Sequence, residues 1–173
     1  MSVRAFTAAS DTEILFEDDY MELRKRDDYT YAHEKRNSGV AIFVYRYNGT
    51  EVLGRYEPNP AHDADQELCS ITGKIDEGET PEKAAVRELK EETGYECDLQ
   101  DLEDLGMVYP YKGADYRLYL FAVDATNLEQ GEAEGDGSRY EENSYCEWLR
   151  YSDALRSSDA VVGTLIAKWF LGQ

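Results

Sequence analysis

Residues 73–95 read GKIDEGETPEKAAVRELKEETGY, and the rest of the chain is arranged around this loop and helix. Gly73 and Gly78 bracket a tight acidic loop. Thr80-Pro81 then supplies an N-cap and a proline at the first helical position, where no amide donor is lost. The spacing predicts a helix from about Pro81 to about Thr93, with Ala84, Ala85, Val86 and Leu89 as its apolar stripe. Gly94 sits where a left-handed C-terminal cap belongs.

Glu88, Glu91 and Glu92 stand at i, i+3 and i+4, so their carboxylates share one face of that helix. Like charges this close are locally destabilising, and such a run taken alone is an ordinary solvated acidic face. Its surroundings argue otherwise. Glu79 precedes the helix and Arg87 lies within it, at fixed offsets from Gly73 and from the glutamates. The pattern Gly73, Glu79, then Arg87-Glu88-Leu89-Lys90-Glu91-Glu92-Thr93-Gly94-Tyr95 resembles the Nudix box. It departs from the box at Tyr95, where an aliphatic residue is usual; this is a packing position that leaves the chemistry untouched.

Carboxylate oxygens suit hard divalent ions, and Mg²⁺ takes one or two of them while keeping waters and substrate phosphate oxygens. A bound metal polarises phosphorus and lowers the pKa of an attacking water. By resemblance, Glu88, Glu91 and Glu92 are the metal ligands, Gly73 belongs to the same site, and Glu91 also counts among the catalytic residues. Mg²⁺ is the expected ion and Mn²⁺ the alternative. Arg87 has a structural role in the family, paired with a box glutamate, and Glu79 is its expected partner.

The 173 residues fit one domain with a small appendage. No apolar run is long enough for a membrane span, and the opening MSVRAFTAASD lacks the apolar stretch of a signal peptide, so a soluble cytoplasmic protein is expected. Cys69, Cys97 and Cys146 have no metal-ligand spacing and read as small hydrophobes. His33 and His62 have no Cys or His near them in sequence. The net charge of −19, from 37 acidic and 18 basic residues, argues against a nonspecific grip on nucleic acid.

Residues 1–37 are expected to form an N-terminal β segment, with strands at about 12–16, 19–26 and 29–35 and turns at Asp18-Asp19 and Asp27-Asp28. Residues 38–173 form the main domain. VAIFVYRY after Gly39 is a strand covered on both faces, turned at Asn48-Gly49 onto EVLGRYE. Residues 58–66 are loop by composition, and ELCSIT is one short strand leading into the glycine-bracketed loop. Asp98 to Leu105 is a polar connection, followed by strands GMVYPYK and YRLYLFAVDA. Residues 127–143, acidic and glycine-rich, are a long loop. SYCEWLRY is the last strand, and the end is one amphipathic helix with Val162, Leu165, Ile166, Trp169 and Phe170 on its apolar face. This order gives an α/β fold, a mixed sheet between helices with a small antiparallel N-terminal β subdomain, and it matches the Nudix α/β/α sandwich.

Several segments are similar to the ADP-ribose pyrophosphatase branch of that family. These are the three N-terminal strands, Pro110 fifteen residues beyond Tyr95, and the closing pattern WLRYSDAL with TLIAKWF. The likeness implies cleavage of ADP-ribose or a related nucleoside diphosphate sugar to a nucleoside monophosphate and a sugar phosphate. It also implies a homodimer whose residues 13–35 contribute to the nucleotide pocket, with Tyr20, Tyr29 or Tyr31 able to stack on a base. Two departures stand out: Ile71-Thr72 replaces the branch's Pro-Ala, and Arg55-Tyr56-Glu57 replaces its Gln-Tyr-Arg, leaving Arg55 as the candidate substrate arginine. Tyr111 lies near the position of a tyrosine used by dinucleoside polyphosphate enzymes. Hydrolysis of such compounds or of NADH- or FAD-type dinucleotides is therefore an alternative, and a non-catalytic nucleotide sensor is another. In the branch a glutamate before the last strand acts as general base; Glu142 falls nearest that position, with Glu141 the alternate.

Overall fold

Val40 to Val44 and Leu118 to Val123 carry no charged residue, so both segments need cover on two faces. In the structure, a computed structural model that describes residues 12–135 and 143–172, they form the centre of a mixed sheet between helices. A three-stranded antiparallel sheet comes first: β1 (Glu13–Glu17), β2 (Met21–Arg26) and β3 (Tyr29–Glu34). The main sheet contains β4 (Ser38–Arg46), β5 (Glu51–Asn59), β6 (Ala64–Cys69), β7 (Ile71–Lys74), β8 (Glu103–Val108), β9 (Arg117–Asp124) and β10 (Tyr145–Arg150). The helices are α1 (Pro81–Thr93), α2 (Tyr151–Ala154) and α3 (Ala160–Gly172). None of them is long and apolar enough to cross a membrane.

The strand order is β10-β5-β4-β9-β8, with β4 and β9 parallel and their other neighbours antiparallel. Side chains alternate across the pleat. Val40, Ile42 and Val44 of β4 and Phe121 and Val123 of β9 pack with Ala84, Ala85 and Leu89 of α1. Ala41 and Phe43, with Leu118, Leu120 and Ala122, pack on the other face with Val162, Leu165, Ile166 and Trp169 of α3. Fully burying one large side chain here contributes roughly 1.5–3 kcal/mol. The first layer holds α1, and with it the glutamates, on the sheet; the second holds α3 on the other face.

Three segments differ from the sequence reading. The expected single strand ELCSIT is two: β6 pairs with the far half of β5, then the chain breaks at Ser70 and β7 pairs with β4. Strands β4 and β5 diverge after Tyr45 and Val52, and β6 and β7 fill the gap in turn. Ser70 is fixed by its amide and hydroxyl, which donate to Asp159 Oδ2 at 2.9 and 2.7 Å. Polar residues 64–66, expected as loop, belong to β6 because that edge ladder needs backbone pairing rather than an apolar face. The strand placed at residues 106–112 lies earlier, at Glu103–Val108, with Gly106 bulged at φ 84°. The terminal helix is broken: Asp159 caps α3 by accepting from the Val161 amide at 2.8 Å, which ends α2 as a separate turn.

The small sheet is tied to the main domain through one loop. The Ala32 amide donates to Gly113 O at 2.8 Å, the Asp115 amide to Ala32 O at 3.2 Å, and the Tyr29 hydroxyl to Lys112 O at 2.7 Å. His33 Nδ1 lies 2.8 Å from Asp115 Oδ2.

Candidate active site

The loop and α1 form as their local chemistry requires. Gly78 takes φ 80°, a left-handed turn in which the Glu79 amide donates to Asp76 O and Glu79 Oε2 accepts from the Asp76 amide, both at 3.0 Å. Thr80 caps the helix by accepting from the Lys83 amide, and Gly94, at φ 74°, closes it with its amide on Lys90 O at 2.9 Å.

Arg87 organises the carboxylates. Its guanidinium donates to both Glu79 oxygens at 3.1 and 2.9 Å, to Glu88 Oε1 at 2.7 Å, to Glu91 Oε2 at 3.0 Å and to Lys74 O at 2.8 Å. One cation thereby joins the loop, the end of β7 and the helix. The expected pairing of Arg87 with Glu79 is present, and Arg87 also reaches two of the three helix glutamates. Its hydrogen bonds hold Glu79 below the usual carboxylate range. Burial pushes Glu88 the other way, raising it despite the Arg87 contact.

Gly73 belongs to this arrangement through what it lacks. A Cβ there would overlap the Glu88 carboxylate, so only glycine lets that side chain lie against β7. Glu92 faces elsewhere. Its Oε2 is 3.7 Å from Arg55 Nε, and Arg55 Nη1 donates to the Glu92 carbonyl at 3.3 Å while Nε donates to Glu57 at 3.1 Å. Arg55, only 4% exposed, is a buried prop beneath the end of α1 rather than an arm extended toward solvent. The polar sequence around it gave no sign of this, because nothing in RYE shows that β10 covers the strand.

Glu88, Glu91, Glu92 and Gly73 line a cleft of about 730 Å³. Glu34 and Arg36, from the end of β3 and the link to β4, and Tyr116, just before β9, line it as well. Sequence reasoning missed those three residues; none has a spacing signal, and they reach the cleft through long-range pairing of β3 with residues 113–115 and of β4 with β9. Among the described residues no three carboxylate, histidine or cysteine side chains already converge as a metal cage. Glu88 and Glu91 are turned to Arg87, and Glu92 to Arg55.

A second cavity, of about 600 Å³, is lined by Tyr29 and Tyr31 with Arg24, Arg26, Lys112 and Asp115. The two tyrosine rings stack at 6.4 Å. Asp115 lines this cavity and its neighbour Tyr116 the first, so the two lie on either side of one short segment. Pro110 sits in the exposed bend after β8 and lines neither of them. Glu141 and Glu142 lie outside the described residues. The described chain ahead of them ends at Gly135, whose amide donates to Glu91 O at 2.9 Å.

The NUDIX domain family matches residues 35–170, a span that contains Gly73, Arg87 and the three helix glutamates. The chain belongs to the Nudix family. A Caenorhabditis elegans protein that carries a nudix hydrolase name is 34% identical over 100 residues, 57% of this chain. The matched stretch is 26% of that relative, so this Nudix chain aligns with about a quarter of it. The crystal structure of an ADP compounds hydrolase superposes with a TM-score of 0.72, covering 100% of this chain and 98% of the other at 18% identity. That likeness shows the fold: the Nudix sandwich together with its N-terminal sheet.

Proposed function

We propose that this Nudix domain is a divalent-metal-dependent pyrophosphohydrolase that cleaves ADP-ribose or a related nucleoside diphosphate sugar to a nucleoside monophosphate and a sugar phosphate. The observation that carries this reading is the carboxylate cleft built on Arg87 and Gly73, with an aromatic and cationic cavity one segment away. The match to an ADP compounds hydrolase fold supports the choice of nucleotide.

The donor set suits Mg²⁺, or Mn²⁺, because it consists of hard carboxylate oxygens in an open cleft, and Gly73 keeps the place of the Glu88 carboxylate clear. Glu88, Glu91 and Glu92 would hold the ion, which when bound supplies charge to the diphosphate and acidity to a water. Arg87 holds Glu88 and Glu91 in orientation until then, and Arg55 does so for Glu92. Tyr29 and Tyr31 offer ring faces for a base, and Arg24, Arg26 and Lys112 offset phosphate charge in a chain that is otherwise strongly acidic. Glu142, or Glu141, takes the proton from the attacking water.

The same reading makes the protein a homodimer. Ile14, Leu15 and Phe16 of β1 are all exposed, forming an apolar edge of the N-terminal sheet that a second copy would cover. A monomer by light scattering with normal turnover would remove that part. The activity is tested by incubating the protein with nucleoside diphosphate sugars, dinucleoside polyphosphates and dinucleotide cofactors, with and without Mg²⁺, and resolving the products. Nucleoside monophosphate plus sugar phosphate is expected. Binding without turnover of any of them would favour a sensor.

A further inference from the structure

Tyr116 is held by the fold in a way the carboxylate chemistry does not explain. It immediately precedes β9, where the Arg117 amide donates to Asn37 O at 3.0 Å and the parallel pairing of β9 with β4 begins at Ser38 and Arg117. Its ring packs on the α3 side of the core, and its hydroxyl lies against Gly39, where a Cβ would collide with it. Gly39 and Gly73 sit on paired strands, Gly39 opposite Lys74 and Val40 opposite Gly73. One glycine clears room for the Glu88 carboxylate and the other for the Tyr116 hydroxyl. Glu88 and Tyr116 both line the same cleft.

Among the described residues, no protein group takes a hydrogen bond from that hydroxyl. A phenol keeps its proton throughout the neutral range and so offers a donor there. Tyr116 lines the cleft together with Glu34 and Glu88, so its hydroxyl is placed to donate to a group bound there. An oxygen-rich, negatively charged group brought into the cleft would supply the acceptor.

We propose that the Tyr116 hydroxyl donates a hydrogen bond to a phosphate oxygen of the substrate's diphosphate, fixing that group against the glutamate face of α1. This rests on the reading of the site as a nucleoside diphosphate hydrolase. It assigns the contact to a residue outside the Gly73–Tyr95 motif.

The test is Tyr116→Phe, which keeps the ring and removes only the hydroxyl. The melting temperature is expected to stay at the wild-type value, since no internal bond is lost. Hydrogen bonds to charged groups are worth enough that kcat/KM for ADP-ribose should fall about 10- to 100-fold. Titration with ADP and with adenosine gives an independent readout: ADP should bind about tenfold more weakly to the variant, and adenosine equally to both. Unchanged kcat/KM with unchanged ADP affinity overturns the inference, as does an equal loss for ADP and adenosine, or no ADP binding by the wild type. If the wild type binds ADP yet hydrolyses nothing, the enzymatic reading fails while the ADP comparison still decides the role of Tyr116.

Discussion

Replacing Arg87 by methionine leaves Glu79, Glu88 and Glu91 facing one another without their shared cation. The lost contacts are four hydrogen bonds to carboxylates, between 2.7 and 3.1 Å, and one to the Lys74 carbonyl at 2.8 Å. A fully buried charged bond contributes roughly 1.5–3 kcal/mol. Arg87 is 29% exposed and Glu91 30%, so water screens part of this and the carboxylates can turn outward. A total cost of about 2–4 kcal/mol follows. For a chain of this size each kcal/mol moves Tm by roughly 2–4 °C, so a fall of about 5–15 °C is expected in metal-free buffer at low salt. The pH dependence has a definite sign. Glu79 is depressed by Arg87, so their mutual stabilisation is present above the ordinary value of 4.5 and is lost as pH falls through the lower folded value. The gap between wild type and variant should therefore be full at pH 6 to 8 and narrow in acid, as read by differential scanning fluorimetry across pH. A Tm within about 2 °C of wild type at neutral pH, or a gap that does not narrow in acid, would refute the claim that Arg87 organises the site.

Burial raises the Glu88 carboxyl, so its neutral form is favoured by folding; the cost of its charge is absent below 4.5 and appears as pH rises through the folded value. Glu88→Gln should thus melt above wild type at pH 7.5 and converge with it near pH 4, as thermal melts at the two pH values will show. Arg55→Lys keeps the charge but cannot span Glu57 and Glu92 together, so it is expected to cost about 1–3 kcal/mol in urea unfolding. Glu142→Gln is expected to lower kcat roughly 10²–10⁴-fold with little change in KM, and Glu141→Gln to behave like wild type. A reversal of those two phenotypes would move the base by one residue, and a loss under about tenfold in both would require another proton acceptor.

The loop and helix from Gly73 to Tyr95 were legible residue by residue because their signals are local: a capping threonine, a proline at the first turn, a glycine at each sharp bend, charges at fixed helical offsets. The two central strands were legible for the same reason, since an unbroken apolar run already states that both faces are covered. What the sequence hid is what depends on distant partners. The break at Ser70 is made by Asp159, 89 residues away. Glu92 reads as one of an exposed row, yet it is 10% exposed because Arg55 of β5 lies beneath it. Glu34, Arg36 and Tyr116 carry no motif at all; they meet the glutamates because the end of β3, the link to β4 and the start of β9 come together there.

The central claim is that the glutamates gathered by Arg87 hold a metal that supports diphosphate cleavage. It is tested most directly by one product-resolved assay, in which wild type and Glu91→Gln are given ADP-ribose in the presence of Mg²⁺ and again with excess EDTA. The account predicts AMP and ribose 5-phosphate from wild type with Mg²⁺, none with EDTA, and turnover by Glu91→Gln reduced about a hundredfold or more at every Mg²⁺ concentration. Undiminished hydrolysis in EDTA, or full activity of Glu91→Gln, would contradict it.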